Sequence, residues 1–237
     1  DDFIWISCTR LEFERELPSL QASLQHLSGT TLVDLHVSDL LNAHLPSRHD
    51  ATSRYDLLVF RRLAAANGNA APPPADDRAR RAGPALLRRI DTSPVGFALF
   101  DRVLLSVHPE DCAVRDAYAI RLLDSASADA RDSAPRGPAT TADLMLRVLN
   151  QIVDGYLDLR RELTRQLDHW QDELLQPRSR FNNWGALLEA RMTLHQLDGI
   201  CEDQRAAIQN WIEGLKSWPA PADPAGQRER DLLLVRS

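Results

Sequence analysis

Asp143-Leu144-Met145-Leu146-Arg147-Val148-Leu149-Asn150-Gln151-Ile152-Val153-Asp154-Gly155-Tyr156 opens the stretch that decides the fold, residues 143–215. Apolar side chains recur at Met145, Leu149, Ile152, Tyr156, Leu159, Leu163, Leu167, Trp170 and Leu174. Each step is three or four residues, so these positions share one stripe of a helix. A second stripe runs through Leu187, Ala190, Leu194, Leu197, Cys201, Gln204, Ile208, Trp211 and Leu215, and Gln204 is its one polar member. Between them, Pro177 cannot continue a helix, and Asn182 or Asn183 can cap the next one. Two such stripes across a short connection predict an antiparallel helical hairpin packed at a shallow angle. Each arm is about 45 Å long at 1.5 Å per residue. A rod of that length is expected to project from a body or to stack on other copies of itself.

The outward positions of the first arm are charged: Asp154, Asp158, Arg160, Arg161, Glu162, Arg165, Asp168, Asp172 and Glu173. They make either a solvated face or an acidic surface that gathers cations.

Ahead of the hairpin the periodicity changes. Phe3-Ile4-Trp5-Ile6-Ser7 is short, apolar and rich in strand formers, so it reads as a buried strand. Leu17, Leu20, Leu24 and Leu27 return to helical spacing, with Pro18 at the helix start and Gly29 at its end. Residues 32–45 hold a second helical segment around Ser38-Asp39-Leu40-Leu41-Asn42, with Ser38 as a possible cap and Pro46 as the stop. That places Asp39 near a helix start, where the helix dipole favours a carboxylate. Residues 55–63 read as a strand. Residues 94–100 and 103–107 read as two strands of a hairpin turning at Asp101-Arg102. Residues 113–125 look helical.

The fold class is therefore α/β (α+β): a mixed β-sheet flanked by helices, followed by the long helical hairpin. Residues 1–125 form the body, with a loop at 64–84 that is rich in Ala, Pro and Gly and lacks a hydrophobic period. Residues 126–141 are a small-residue linker, and residues 142–216 are the hairpin.

The chain has 237 residues, 43% hydrophobic and 26% charged, as an ordinary globular protein does. A net charge of -6 argues against a nucleic-acid partner. Cys8, Cys112 and Cys201 are odd in number and far apart, which indicates neither a disulfide framework nor a zinc knuckle. No run of about 18 or more apolar residues is present, so no spanning helix is expected within this chain. The sequence starts without Met and stops inside the apolar run Leu232-Leu233-Leu234-Val235, so a fragment of a longer protein is expected.

Catalytic patterns are missing. His26, His36, His44, His49, His108, His169 and His195 form no HExxH, and no GxGxxG, GxxxxGK[ST] or GxSxG occurs. No enzyme activity and no organic cofactor are expected. Trp170 and Trp211 lie on the apolar stripes and are expected to be buried rather than to form a stacking platform.

The order of the pieces carries a resemblance. A Trp-containing first strand leads to Asp39-Leu40-Leu41-Asn42, then Pro46, then a Tyr55-Asp56 strand. A strand closing on His108-Pro109-Glu110 follows, then Ile152-Val153-Asp154-Gly155-Tyr156, a helix closing on Asp172-Glu173-Leu174-Leu175, and a second helix. Over nearly its whole length the chain resembles the cytoplasmic domain of the CorA family of divalent-cation transporters, which includes the ZntB branch.

That resemblance implies a homopentameric membrane transporter or channel for Mg²⁺ and Co²⁺, or for Zn²⁺ in the ZntB branch. Residues 217–237 would be a linker and the truncated start of a stalk helix, and the membrane would be reached only through spanning helices missing from this chain. The full-length protein would sit in the cell's inner (plasma) membrane with this part on the cytoplasmic side. The partners implied are other copies of the chain and divalent cations. Asp39 matches the family's regulatory Mg²⁺ ligand, although the Glu that precedes it in the family is Ser38 here. A stand-alone protein whose helical hairpin binds a partner helix is the alternative outside the family.

Overall fold

A computed structural model describes residues 3–64, 90–112, 115–120, 138, 140–175, 184–217, 227, 231 and 233–235. The architecture is one sheet with helices on both faces. Strand β1 (Ile4–Thr9) leads into helices α1 (Arg10–Arg15), α2 (Leu17–Ser28) and α3 (Asp34–Leu41). Strands β2 (Arg48–Ala51), β3 (Asp56–Leu63), β4 (Thr92–Leu99) and β5 (Val103–His108) follow, and then helices α4 (Thr141–Leu175) and α5 (Trp184–Ser217). The strand order is β1-β5-β4-β3-β2, with β1 and β5 parallel and every other pair antiparallel. Residues 115–120 are helical as well.

The central strands carry unbroken apolar runs, residues 57–60 on β3 and 103–105 on β5, because both of their faces are covered. Along β3, Leu57 and Val59 face α1–α3, where they meet Phe13, Leu24, Val37 and Leu40. Leu58 and Phe60 face the other way, onto Leu144, Met145, Leu149 and Ile152 of α4 and Ala207 and Trp211 of α5. On β4, Gly96 is required by close approach, since a Cβ there would overlap the side chain of Leu40. That contact seats α3 against the sheet.

The two long helices run antiparallel over one face of the sheet, with a cleft between them. Tyr156 and Gln204 share one acceptor while Leu163 clusters with Ala190, so numbers rise along one arm as they fall along the other. Farther along, Leu163 and Ala190 form a separate small cluster with Leu159 and Leu194. Trp211 is fully buried, as its place on the stripe predicts. The expected caps at Asn182 or Asn183, the loop at 64–84 beyond Ala64, most of the helix at 113–125 and the side chain of Trp170 lie outside the described residues.

Gln204 breaks the second stripe for a structural reason. Strand β2 pairs with β3 only from Asp56 to Val59, so Arg61 extends past its neighbour. Its N–H donates to Ser47 Oγ at 3.0 Å instead. Its carbonyl accepts from Tyr156 Oη at 3.0 Å and from Gln204 Nε2 at 2.6 Å. One unpaired strand carbonyl thus fastens both arms of the hairpin to the sheet, as a buried peptide group requires a partner.

Strand β1, read as buried, is instead an edge strand with Ile4 exposed and the rest half-buried, and three further features differ from the sequence reading or are missing from it. Helix α1 was not expected, yet Thr9 and Glu12 form a capping box: Thr9 N–H donates to Glu12 Oε2 at 2.8 Å and Glu12 N–H to Thr9 Oγ1 at 3.2 Å. Strand β2, Arg-His-Asp-Ala, carries no apolar pattern and exists by pairing with β3. The helix expected over 32–45 is shorter, Asp34–Leu41, with Val33 as its N-cap and Ser38 in its interior. It stops before Pro46, because Asn42 leaves the helical conformation and its Oδ1 accepts from His44 N–H at 2.9 Å.

Candidate cation site

Asp39 therefore sits in the last turn of α3, not near its start. The negative end of the helix dipole disfavours a carboxylate there, and the first-turn position belongs to Asp34. The Asp39 side chain is only 10% exposed. Its Oδ2 is buried and has no hydrogen-bond partner among the described residues. Compensation comes from the edge strand, where Arg48 Nη1 lies 3.7 Å from Asp39 Oδ2. That distance makes an ion pair and exceeds hydrogen-bond range.

Arg48 is shared. Its Nη2 lies 3.3 Å from Asp50 Oδ2. Arg48 and Asp50 alternate with His49 along β2, so both project to the α3 side while His49 turns towards α5, near Gly214. There His49 Nε2 is 3.8 Å from Asp56 Oδ1, and both groups are buried.

Behind Asp50 stands a buried relay. His36 Nε2 is 3.3 Å from Asp50 Oδ2, and His36 Nδ1 is 2.8 Å from Tyr55 Oη. Tyr55 Oη also accepts from Val33 N–H at 3.0 Å. Every donor finds an acceptor if the Tyr55 hydroxyl donates to Nδ1 and Nε2–H donates to Asp50, which assigns the tautomer. Burial pushes the Asp50 carboxyl upward, but hydrogen bonds from His36 and from the Ala51 N–H outweigh it and leave the group below its ordinary value. Burial raises the Tyr55 phenol, so it stays a donor.

Among the described residues no group of three or more His, Cys, Asp or Glu side chains stands ready to enclose a metal. What Asp39 offers is a single hard oxygen ligand beside a movable cation. A Mg²⁺ ion keeps several of its waters and can bind through one or two carboxylates, so the donor is of the right chemistry. Asp39 was singled out from the sequence; Arg48, Asp50, His36 and Tyr55 were not. The signal available for them was the alternation Arg48-His49-Asp50 after Pro46, which is recognisable only once that stretch is known to be a strand.

A profile of the family described as "CorA-like Mg2+ transporter protein" matches residues 1–233. The chain belongs to this CorA-like family. It is a family of ion transporters rather than enzymes. The CorA-like chain also matches solved structures in fold. The ZntB cytoplasmic domain from Vibrio parahaemolyticus aligns with TM-score 0.57 at 17% identity, covering 100% of this chain and 79% of that one. The complete CorA magnesium transporter from Methanocaldococcus jannaschii aligns with TM-score 0.59 at 17% identity, covering 99% and 62%. The full-length CmaX protein gives TM-score 0.59 at 16% identity, covering 98% and 60%. The CorA-like chain thus spans less than two thirds of the full-length structures it matches. No curated protein sequence matches it. Among the described residues no helix is long and apolar enough to cross a membrane.

Proposed function

We propose that this chain is the cytosolic regulatory part of a membrane transporter for Mg²⁺ and Co²⁺, with Asp39 as a ligand of a regulatory Mg²⁺ ion. The family match over residues 1–233 carries the reading, and the CorA and ZntB soluble-domain folds support it. In this reading the spanning helices and the pore lie outside residues 1–237, in the plasma membrane, and the protein works as a homopentamer.

The regulatory ion at Asp39 completes its shell with water and with oxygen atoms of a neighbouring protomer. Bound between like-charged copies, it lowers their repulsion and favours the closed assembly; its loss loosens the ring. The donor at Asp39 is a carboxylate, which suits a hard cation better than Zn²⁺. That chemistry favours a regulatory Mg²⁺ over Zn²⁺, and the fold of the Vibrio domain keeps the ZntB-like alternative as the second reading.

Reconstituting the full-length protein in vesicles and measuring Mg²⁺, Co²⁺ and Zn²⁺ entry tests this. Faster entry of Mg²⁺ and Co²⁺ is expected, with Mg²⁺ on the cytosolic side slowing it and Asp39→Ala relieving that brake. Entry of Zn²⁺ alone moves the protein to the second reading. A vesicle tight to all three ions rules out transport.

A further inference from the structure

The Asp39 carboxylate is compensated but not saturated. Its Oδ2 is buried, has no hydrogen-bond partner among the described residues, and meets only the Arg48 guanidinium at 3.7 Å. Arg48, by contrast, is 38% exposed and has a second carboxylate within reach, Asp50 at 3.3 Å. Asp50 is held by His36, which is held by Tyr55, which is held by the Val33 N–H at the start of α3. The acceptor that would receive a released Arg48 is thus already in place.

We propose that Arg48 is a tethered counter-ion that occupies Asp39 in place of a divalent cation and sets the concentration at which the cation takes over. This rests on the reading of Asp39 as a cation ligand. In the cation-free chain the guanidinium neutralises a buried carboxylate that would otherwise be strongly destabilising. When a divalent cation arrives with its waters, it supplies two charges at that carboxylate, and Arg48 turns wholly to Asp50. Neither carboxylate is left uncompensated in either state, so the exchange costs little. The affinity of the site is the difference between the cation and the side chain it displaces, and Arg48 determines that difference without touching the ion.

Titration of the chain with Mg²⁺ by calorimetry, and with Mn²⁺ by electron paramagnetic resonance, reads the exchange directly. Arg48→Gln is expected to tighten binding about two- to fivefold, the scale of one partly exposed charge pair. Arg48→Lys, which keeps the charge, should stay near the parent affinity. Asp39→Asn should abolish the binding in both the parent and the Arg48→Gln background.

If Asp39→Asn abolishes binding but Arg48→Gln leaves the affinity unchanged or weaker while its circular dichroism matches the parent, the role of Arg48 is wrong and the Asp39 reading survives. If Asp39→Asn changes nothing in either background, both fall. Absence of binding in both the parent chain and Arg48→Gln at about 10 mM cation, above the usual range of carboxylate sites, also overturns the proposal. If Arg48→Gln does not fold, Arg48→Met and Arg48→Lys give the same uncharged-against-charged contrast.

Discussion

The two faces of the sheet do different work with the same strands. On the hairpin face, Leu58, Phe60, Phe97 and Leu104 meet Met145, Leu149, Ile152 and Trp211, and two polar side chains, Tyr156 and Gln204, donate to one carbonyl, that of Arg61. On the α3 face the core under Leu40 and Val37 is equally apolar, but its margin at β2 holds two carboxylates, a guanidinium, an imidazole and a phenol in one linked set. One face is built to be permanent. The other ends at an edge strand, where the half-exposed Arg48 compensates the buried Asp39. The buried carboxylate singled out from the sequence, Asp39, thus lies not where the apolar packing is most continuous but beside an edge strand.

Removing the largest buried contact on the hairpin face tests that contrast most severely. Trp211→Ala should lower unfolding free energy by about 3–5 kcal/mol in a urea titration, as deletion of a fully buried aromatic does. A loss below about 1 kcal/mol would mean that the hairpin is not held by this core at all. Next in size is the Arg61 carbonyl. Tyr156→Phe and Gln204→Leu should each cost about 1 kcal/mol, and together more than the two costs added, because the second change leaves a buried carbonyl without any donor. Simple additivity in a double-mutant cycle would show that the two arms are anchored independently.

The smallest effect is one of pH, at the far edge of the hairpin face. His108 is fully buried at the end of β5. Its Nδ1–H donates to the Pro109 carbonyl and its Nε2 accepts from Ser7 Oγ, both at 3.0 Å, so it is held uncharged. Burial first, and the nearby Arg115 charge second, lower its pKa from the ordinary 6.5. In the window just below 6.5 the unfolded chain binds a proton that the folded chain refuses, so this contribution to stability is present above that value and is lost as pH falls. The urea midpoint should drop from about pH 7.5 to about pH 5.5, across the histidine range, and His108→Gln should flatten that slope. An equal slope in the variant would assign the effect to other groups.

Much of this was legible before any coordinates. Helical steps of three and four located both arms, and their lengths and short connection implied the antiparallel pair, because amphipathic period is a property of neighbouring residues alone. Gly29 ended α2 in the left-handed conformation, as a C-terminal glycine does. The apolar runs within β3, β4 and β5 announced strands, and the turn at Asp101-Arg102 announced the hairpin of β4 and β5. What the residue string did not carry was the far partner. Arg48-His49-Asp50 is a strand because β3 pairs with it, and Asp39 belongs to a last turn because Asn42 leaves the helix and its Oδ1 accepts from the His44 N–H. Gln204 looks like a flaw in an apolar stripe until the overhanging Arg61 carbonyl is placed beside it. Periodicity, capping and composition are short-range and can be read in order along the chain. Which charge compensates which carboxylate depends on register and sheet edges, and those exist only after distant segments have met.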